Sequence, residues 1–586
     1  MSHSDLLWDR RVSRPHYLEA MRILRDCPPL LQDALAARYD AISGQVRRHY
    51  PLGDGRVADS WNDAARDLRQ VGLSLRRVKP ATAFDDDRIE AAADRAARFC
   101  MTCRDLGAAV HYAQCQGVIV PSGGRVTAAS QRKRLNSADW WRRRLRTVMT
   151  RRCEELFRQL GFVRRQTSAY VSGDALARVR AAAAKGRRWL REMSVVCQDT
   201  GEVLPLAEIA EHSLANPKLR RGELMTRARG FQETAEAGGH RCLMVTLTCP
   251  SAFHAWLRES GDRNPQYNGT TPRQAQAWLN THWARARSAL KRRQVIYYGF
   301  RAAEPHHDAT PHWHVVLYAA PESLETIKQT LRRVWLKDYA DEPGAQQHRV
   351  KFTDEDPSKG AGVGYLAKYV SKNVDGFGTI GSDTSDESDR PVSDDAEHAI
   401  AWARLHGIRQ FQQLGGPAVG LWRELRRARE PCEWPPIEAL RVTTTHTEAS
   451  GPSWSRFITQ LGGIANSLKE SRALLDKAEP RCIDRQGRNV LRLTRWGELP
   501  APMVIGVKVI WRDRIRRLAT RVHVWMLVFS PSSALPLGPV ATTVLTTGDP
   551  SGWTNPQETS QAPPYRCPDP CCPVCSEGQH DRNTLH

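Results

Sequence analysis

The stretch Gln294-Val-Ile-Tyr-Tyr-Gly-Phe-Arg-Ala-Ala-Glu304-Pro-His-His-Asp-Ala-Thr-Pro-His312-Trp-His-Val-Val-Leu-Tyr-Ala319 decides the fold. Its two ends are rich in β-branched and aromatic residues, and its middle is a short polar turn, His306-His-Asp-Ala-Thr310. It therefore reads as two strands, Gln294–Ala303 and His312–Ala319, folded back on each other. Upstream, Arg241-Cys-Leu-Met-Val-Thr-Leu-Thr-Cys249 reads as a strand stopped by Pro250. A loop rich in Asn, Gly and Thr follows, and Pro272 then opens a helix, Arg273–Arg293, with Ala275, Trp278, Leu279, Trp283 and Ala286 at helical spacing. Downstream come a helix from Glu322 to Tyr339, a strand from Gln347 to Phe352 and a helix from Val363 to Asn373. The order β-α-β-β-α-β predicts an α+β, ferredoxin-like antiparallel sheet, with the first and third strands at its centre and the second paired with the third.

The flanks read differently. The first ~235 residues are expected to be mostly helical. Two of their segments are dense in arginine: Asp139-Trp-Trp-Arg-Arg-Arg-Leu-Arg-Thr-Val-Met-Thr-Arg-Arg152 and Ala177-Arg-Val-Arg-Ala-Ala-Ala-Ala-Lys-Gly-Arg-Arg-Trp-Leu-Arg191. Such helices can lie along a phosphate backbone with Trp stacking on bases, or they can be solvated helices whose Trp and Leu face a core. After the predicted core, Gly376–Asp395 reads as a loop or linker. Helical sequence resumes near Glu397 and runs through Trp402, Gly407-Ile-Arg-Gln-Phe-Gln-Gln-Leu-Gly-Gly-Pro417 and Trp422. Beyond Ala428 the chain is irregular, with a β-rich patch near Val504–Phe529 and a Pro/Gly/Thr-rich tail.

Composition narrows the function. The 586 residues carry 86 Lys+Arg against 64 Asp+Glu, a net charge of +22. A surplus of that size points to a polyanionic partner, and the absence of a basic amphipathic anchor places nucleic acid before membrane. The most apolar stretch, Val522–Phe529, is far short of the ~18 residues that a membrane span needs. The first residues show no signal peptide, so the chain is expected in the cytoplasm, and its 14 Cys are expected as thiols or metal ligands rather than disulfides.

The candidate chemistry lies in the deciding stretch. His312 and His314 are two apart on a strand and share one face, and Glu304 lies across the hairpin. Two imidazoles and a carboxylate form a three-ligand metal site with open positions. Mixed N/O ligation suits Mg²⁺ or Mn²⁺ when a phosphodiester supplies further oxygens, and ligand type alone leaves Zn²⁺ open. A second element, Tyr365-Leu-Ala-Lys368-Tyr369-Val-Ser-Lys372, places two tyrosines at i and i+4 on one helix face, each followed three residues later by a lysine. A nearby cation favours the phenolate of a tyrosine.

Thr246-Leu-Thr248, the His-Trp-His strand and the Tyr-x-x-x-Tyr helix, in that order, resemble the HUH endonucleases that initiate rolling-circle replication. More narrowly, Glu304–His314, Gly364-Tyr-Leu-Ala-Lys-Tyr-Val-Ser-Lys-Asn-Val-Asp-Gly376 and Gly407-Ile-Arg-Gln-Phe-Gln-Gln413 are similar to the phage replication gene A protein family. The resemblance runs from roughly Trp140 to Arg427. It implies a site-specific single-strand DNA endonuclease and ligase that nicks a replication origin. Tyr365 or Tyr369 would attack the phosphodiester, giving a tyrosyl-5′-phosphate and a free 3′-OH. His312, His314 and Glu304 would hold Mg²⁺ or Mn²⁺, and Lys368 and Lys372 would stabilise charge or protonate the leaving oxygen. Expected partners are single-stranded origin DNA, a host polymerase and, since the chain shows no Gly-x-x-x-x-Gly-Lys-Ser/Thr phosphate loop, a host helicase.

On this reading the chain divides into an N-terminal helical region (1–135), a basic helical DNA-binding region (136–235), an HUH endonuclease core (236–380), a linker with core-associated helices (381–430) and a C-terminal accessory region (431–586). Two alternatives remain at this point: a conjugative relaxase, which usually places its tyrosine ahead of the histidines, and a non-catalytic basic DNA-binding regulator. Cys567, Cys571, Cys572 and Cys575 in the tail have knuckle-like spacing for Zn²⁺. Cys100 and Cys103, followed by His111 and Cys115, are expected as free thiols on a helix.

Overall fold

The computed structural model describes residues 86–353, 361–374, 392–428, 431–445, 451–465, 473–483, 489–511, 514–529 and 544–545. The chain divides into two compact units, one ending at Phe162 and one beginning at Val163. In the first, every described element is a helix: α1 (Asp86–Thr102), α2 (Leu106–Cys115), α3 (Ala128–Leu135) and α4 (Ala138–Gln159). Helix α4 starts where the Ser137 side chain accepts from the Trp140 N–H. It turns Trp140, Trp141, Leu145 and Met149 inward, and the Trp141 indole donates to the Leu135 carbonyl at 2.7 Å. Its arginines 143, 144 and 146 are exposed. Of the two sequence readings of this segment, the tryptophans follow the core-facing one.

The second unit opens with α5 (Gly173–Glu192), β1 (Met193–Cys197), β2 (Val203–Pro205), α6 (Leu206–Glu211) and α7 (Pro217–Ala237). The central elements follow: β3 (Arg241–Leu247), α8 (Pro272–Arg292), β4 (Tyr297–Pro305), β5 (Pro311–Ala319), α9 (Pro321–Trp335), α10 (Ala345–His348), β6 (Val350–Thr353) and α11 (Ala361–Val374). Next are α12 (Val392–His406), β7 (Phe411–Leu414), α13 (Val419–Leu425), α14 (Pro435–Thr444) and α15 (Trp454–Gln460). The rest is strand: β8 (Ala473–Ala478), β9 (Arg481–Ile483), β10 (Asn489–Leu491), β11 (Met503–Trp511), β12 (Arg514–Ala519), β13 (Trp525–Phe529) and β14 (Val544–Leu545). None of the described helices is long and apolar enough to cross a membrane.

The central sheet has the order β6-β3-β5-β4-β7, and every pairing in it is antiparallel. The first and third of its four predicted strands, β3 and β5, are neighbours, and β4 pairs with β5, as the β-α-β-β-α-β reading expects. Alternation sorts β5 cleanly. Trp313 faces α8, meeting Trp283 edge-on at 6.3 Å, while Val316 and Tyr318 join Phe231 of α7 and Leu366, Tyr369 and Val370 of α11 in the opposite core. Helix α8 begins with a capping box between Thr271 and Gln274 and with Pro272 in the first turn. Close approach is eased by glycine: a Cβ on Gly362 would lie 2.5 Å from the Tyr318 hydroxyl, which would have to shift to admit it.

Three expectations are corrected. Phe411–Leu414, expected within helical sequence, is the edge strand β7, paired with Gly299–Ala302 of β4. The "mostly helical" first ~235 residues contain β1 and β2, and β1 pairs with β13 far along the chain. Near residue 347 the chain first makes the short helix α10, and the strand starts only at Val350. For β1 and β7 the pairing partner is distant, so local pattern does not carry them, and β2 forms only as a short edge against β1. The β-rich patch near Val504–Phe529 is present as β11, β12 and β13. Most of the loop expected at Gly376–Asp395 lies outside the described residues, and α12 begins at Val392, inside that range.

Candidate active site

Register brings the three predicted metal ligands together. Glu304 stands directly opposite His312 in the β4–β5 pairing, and His314 lies two residues along on the same face. The His312 and His314 Nε2 atoms are 2.8 Å apart, and His314 Nε2 is 3.8 Å from Glu304 Oε2. Ligand atoms of all three lie within 4.8 Å of one another. Divalent ions bound at ~2.0–2.1 Å hold their donors about 3.0–3.4 Å apart, so small adjustments from this arrangement bring all three onto one ion. Glu304 is 2% exposed and His312 4%. A carboxylate this deep beside two imidazoles is a costly arrangement unless a cation or proton is shared there.

The turn between the strands is held from several sides. Ala309 takes a left-handed φ of 70°, and the His306 N–H donates to the Thr310 carbonyl at 2.8 Å. The fully buried Asp308 carboxylate accepts from the backbone N–H groups of Ala255 (2.8 Å) and Thr310 (3.1 Å), with His254 Nδ1 at 3.2 Å. The Trp402 indole donates to the Ala309 carbonyl at 2.9 Å, and the Tyr170 N–H donates to the His307 carbonyl. On the back of the sheet Arg301 lies 3.8 Å over the Trp313 ring, its pKa pushed down to about 10, chiefly by burial.

Both tyrosines reach the same patch, in unequal ways. The Tyr365 hydroxyl is 3.2 Å from His314 Nδ1, which also lies 3.2 Å from Thr246 Oγ1. The Tyr369 ring stacks on the His314 ring, with centroids 4.1 Å apart and planes 15° apart, and is 7% exposed. The two phenol rings themselves are 4.9 Å apart. Lys368 is exposed on the same helix, and Lys372 lies in its last turn with its side chain outside the described residues.

Three contributors, His254, His306 and Asp308, have no role assigned from sequence, whereas Thr246 belongs to the motif read there. Thr246 arrives because it stands opposite His314 in the β3–β5 register. His306 stacks on His312 at 4.0 Å, and His254 lies 5.1 Å from His306. The signal for Asp308 was available, since a turn aspartate bonding the backbone two residues on is a standard turn device. Cys567, Cys571, Cys572 and Cys575 lie outside the described residues. Cys100, Cys103 and Cys115 are free thiols. Burial pushes the Cys100 thiol up to about 11, while Cys115 is exposed beside His111.

Comparison with known proteins bears on this arrangement directly. The family description "Bacteriophage replication gene A protein (GPA)" matches residues 109–377, a span that contains Glu304, both histidines and both tyrosines. Over this span the chain is similar to the bacteriophage replication gene A protein family. It is 36% identical over 334 residues to "Probable replication protein P12" of Pseudoalteromonas phage PM2, covering 56% of this chain and 51% of that one. It is 36% identical over 327 residues to "Replication gene A protein" of Escherichia phage 186, covering 55% and 46%. It is 33% identical over 341 residues to "Probable replication endonuclease from prophage-like region" of Salmonella typhimurium, covering 56% and 42%. The chain thus spans about half the length of these relatives. No solved structure matches it.

Proposed function

We propose that this chain is a gene A-type protein, a site-specific single-strand DNA endonuclease and ligase of the HUH type, built on a ferredoxin-like sheet, that nicks a phage replication origin to initiate rolling-circle replication. The observation that carries the reading is that two tyrosines of one helix lie against His314, on the sheet face that also holds His312 and Glu304. Names of relatives support replication and endonuclease activity.

In this reading a tyrosine oxygen forms a bond to the scissile phosphorus as the bond to the 3′-oxygen breaks. The 5′-phosphate is left on tyrosine, and the 3′-oxygen leaves and takes a proton. Glu304, His312 and His314 would hold Mg²⁺ or Mn²⁺, which supplies positive charge against the phosphate oxygens as negative charge builds there. His314 Nδ1, 3.2 Å from the Tyr365 oxygen, would hold that oxygen beside this position. Thr246, at the same distance, fixes the ring's orientation. Lys368 and Lys372 are assigned to charge stabilisation or protonation of the leaving oxygen. Two tyrosines on one face allow the second to attack a regenerated origin while the 3′-OH releases the first. Single-stranded origin DNA, a host polymerase and a host helicase are the partners of such a reaction, in the host cytoplasm, and the Cys567–Cys575 tail is assigned Zn²⁺.

The test is a labelled single-stranded origin oligonucleotide with Mn²⁺ or Mg²⁺, assayed for label that stays with protein through denaturation. We expect an adduct that persists in Tyr365→Phe and in Tyr369→Phe and vanishes in the double variant. Binding with no adduct across a range of origin sequences would instead favour a DNA-binding regulator.

A further inference from the structure

The second unit holds another three-donor group, away from the central sheet, at the end of one strand and the entry to its neighbour. Cys197 ends β1, and Asp199, two residues on, lies in the tight turn to β2, where the Gly201 N–H donates to the Cys197 carbonyl and the Cys197 N–H to that of Glu202. The neighbouring strand β13 places Trp525 opposite Cys197, with His523 two residues before it. The last residue of β1 and a donor from the turn that follows it thus meet a third donor from the segment leading into β13. His523 Nδ1 is 3.3 Å and Cys197 Sγ 4.0 Å from Asp199 Oδ2, and ligand atoms of all three lie within 4.8 Å of one another. Among the described residues this is the one such group besides that of the candidate active site.

We propose that Cys197, Asp199 and His523 form a second metal site, for Zn²⁺ or a cation of similar softness, with water completing a tetrahedron. Sulfur, oxygen and nitrogen donors are the zinc set, and the thiolate selects against Mg²⁺ and Mn²⁺. Tetrahedral zinc holds such donors about 3.3–3.6 Å apart, so a modest turn of the half-exposed Asp199 side chain closes the site. The surroundings give the ion a task. The core beneath it consists of Met193, Val195, Cys197, Leu206 and Trp525, a cluster of five buried residues. Small cores of this kind gain most from a metal staple, and this one would fasten β1 to β13.

The test uses the full chain with Cys567, Cys571, Cys572 and Cys575 all changed to Ser, which removes the tail's thiols. Titration with Co²⁺ is expected to produce a thiolate-to-cobalt charge-transfer band that saturates at about one equivalent and is displaced by Zn²⁺. The active-site group has no sulfur and is silent in this band. His523→Ala and Asp199→Ala, at positions with partly exposed side chains, are each expected to weaken Co²⁺ binding at least tenfold, and the double variant to lose the band. No band in the tail-substituted chain, or an unchanged band in the double variant, overturns the proposal.

Discussion

The β4–β5 hairpin and helix α5 belong to the same unit and differ in nearly every physical respect. The hairpin is buried on both faces, paired along its whole length, and held at its turn by Asp308, Trp402 and Tyr170. Its donors are brought onto one face by register. Helix α5 is exposed on all sides from Ala184 to Trp189, and it carries Lys185, Arg187, Arg188 and Arg191 around a Trp189 that is 45% exposed. The first arrangement suits chemistry, which needs groups that do not move, and the second suits capture of a flexible polyanion through charge and stacking. The net charge of +22 therefore says little about the candidate active site, because Glu304, His312, His314 and the two tyrosines contribute almost none of it.

If the two regions divide the work, variants should separate nicking from binding. The largest effect is expected from His314→Ala, where nicking of a single-stranded origin oligonucleotide falls about 10³-fold or more while its Kd stays within about twofold. A parallel loss of binding would break the division. Asp308→Ala comes next. Removing a buried acceptor of three hydrogen bonds is expected to lower stability by about 3 kcal/mol and nicking by about 10²-fold, read by thermal melting beside single-turnover rates. In helix α5, replacing Arg187, Arg188 and Arg191 with Gln should weaken single-strand affinity roughly ten- to thirtyfold and make the slope of log K against log salt shallower by about 2. The rate at saturating DNA should not change. Trp189→Ala is expected to give the smallest effect, about fivefold in affinity, the lower end of base stacking on an exposed ring. A null result there would reduce α5 to charge alone.

Sequence reading reached the centre of the molecule and faltered at its edges, for a physical reason. The hairpin, the tyrosine helix and the capped helix α8 are specified by neighbours: alternation, a polar turn, i and i+4 spacing, a Thr271/Gln274 cap. Glu304, His312 and His314 could be grouped because a strand's period of two makes faces calculable. The inequality of Tyr365 and Tyr369 could not be read, because it depends on how α11 approaches the sheet past Gly362. Strands β1 and β7 escaped notice because β13 and β4, their partners, lie far away in the chain, β1 directly follows a strong helix former, and β2 is three residues long and pairs only with β1. The tryptophans of α4 and α5 look alike in sequence, yet Trp141 is buried and Trp189 is not.

The pairing of β1 with β13 has a consequence for how this protein is made. Gln198 and Met526, which touch across that sheet, are 328 residues apart. At ~5–20 residues per second, a ribosome needs roughly 15–65 s to deliver the second strand after the first has emerged. Throughout that interval one edge of β1 has no β13 to pair with and can recruit other nascent chains. Slower translation or early termination upstream of Trp525 should therefore raise aggregation, even when the hairpin with the histidines has been fully synthesised.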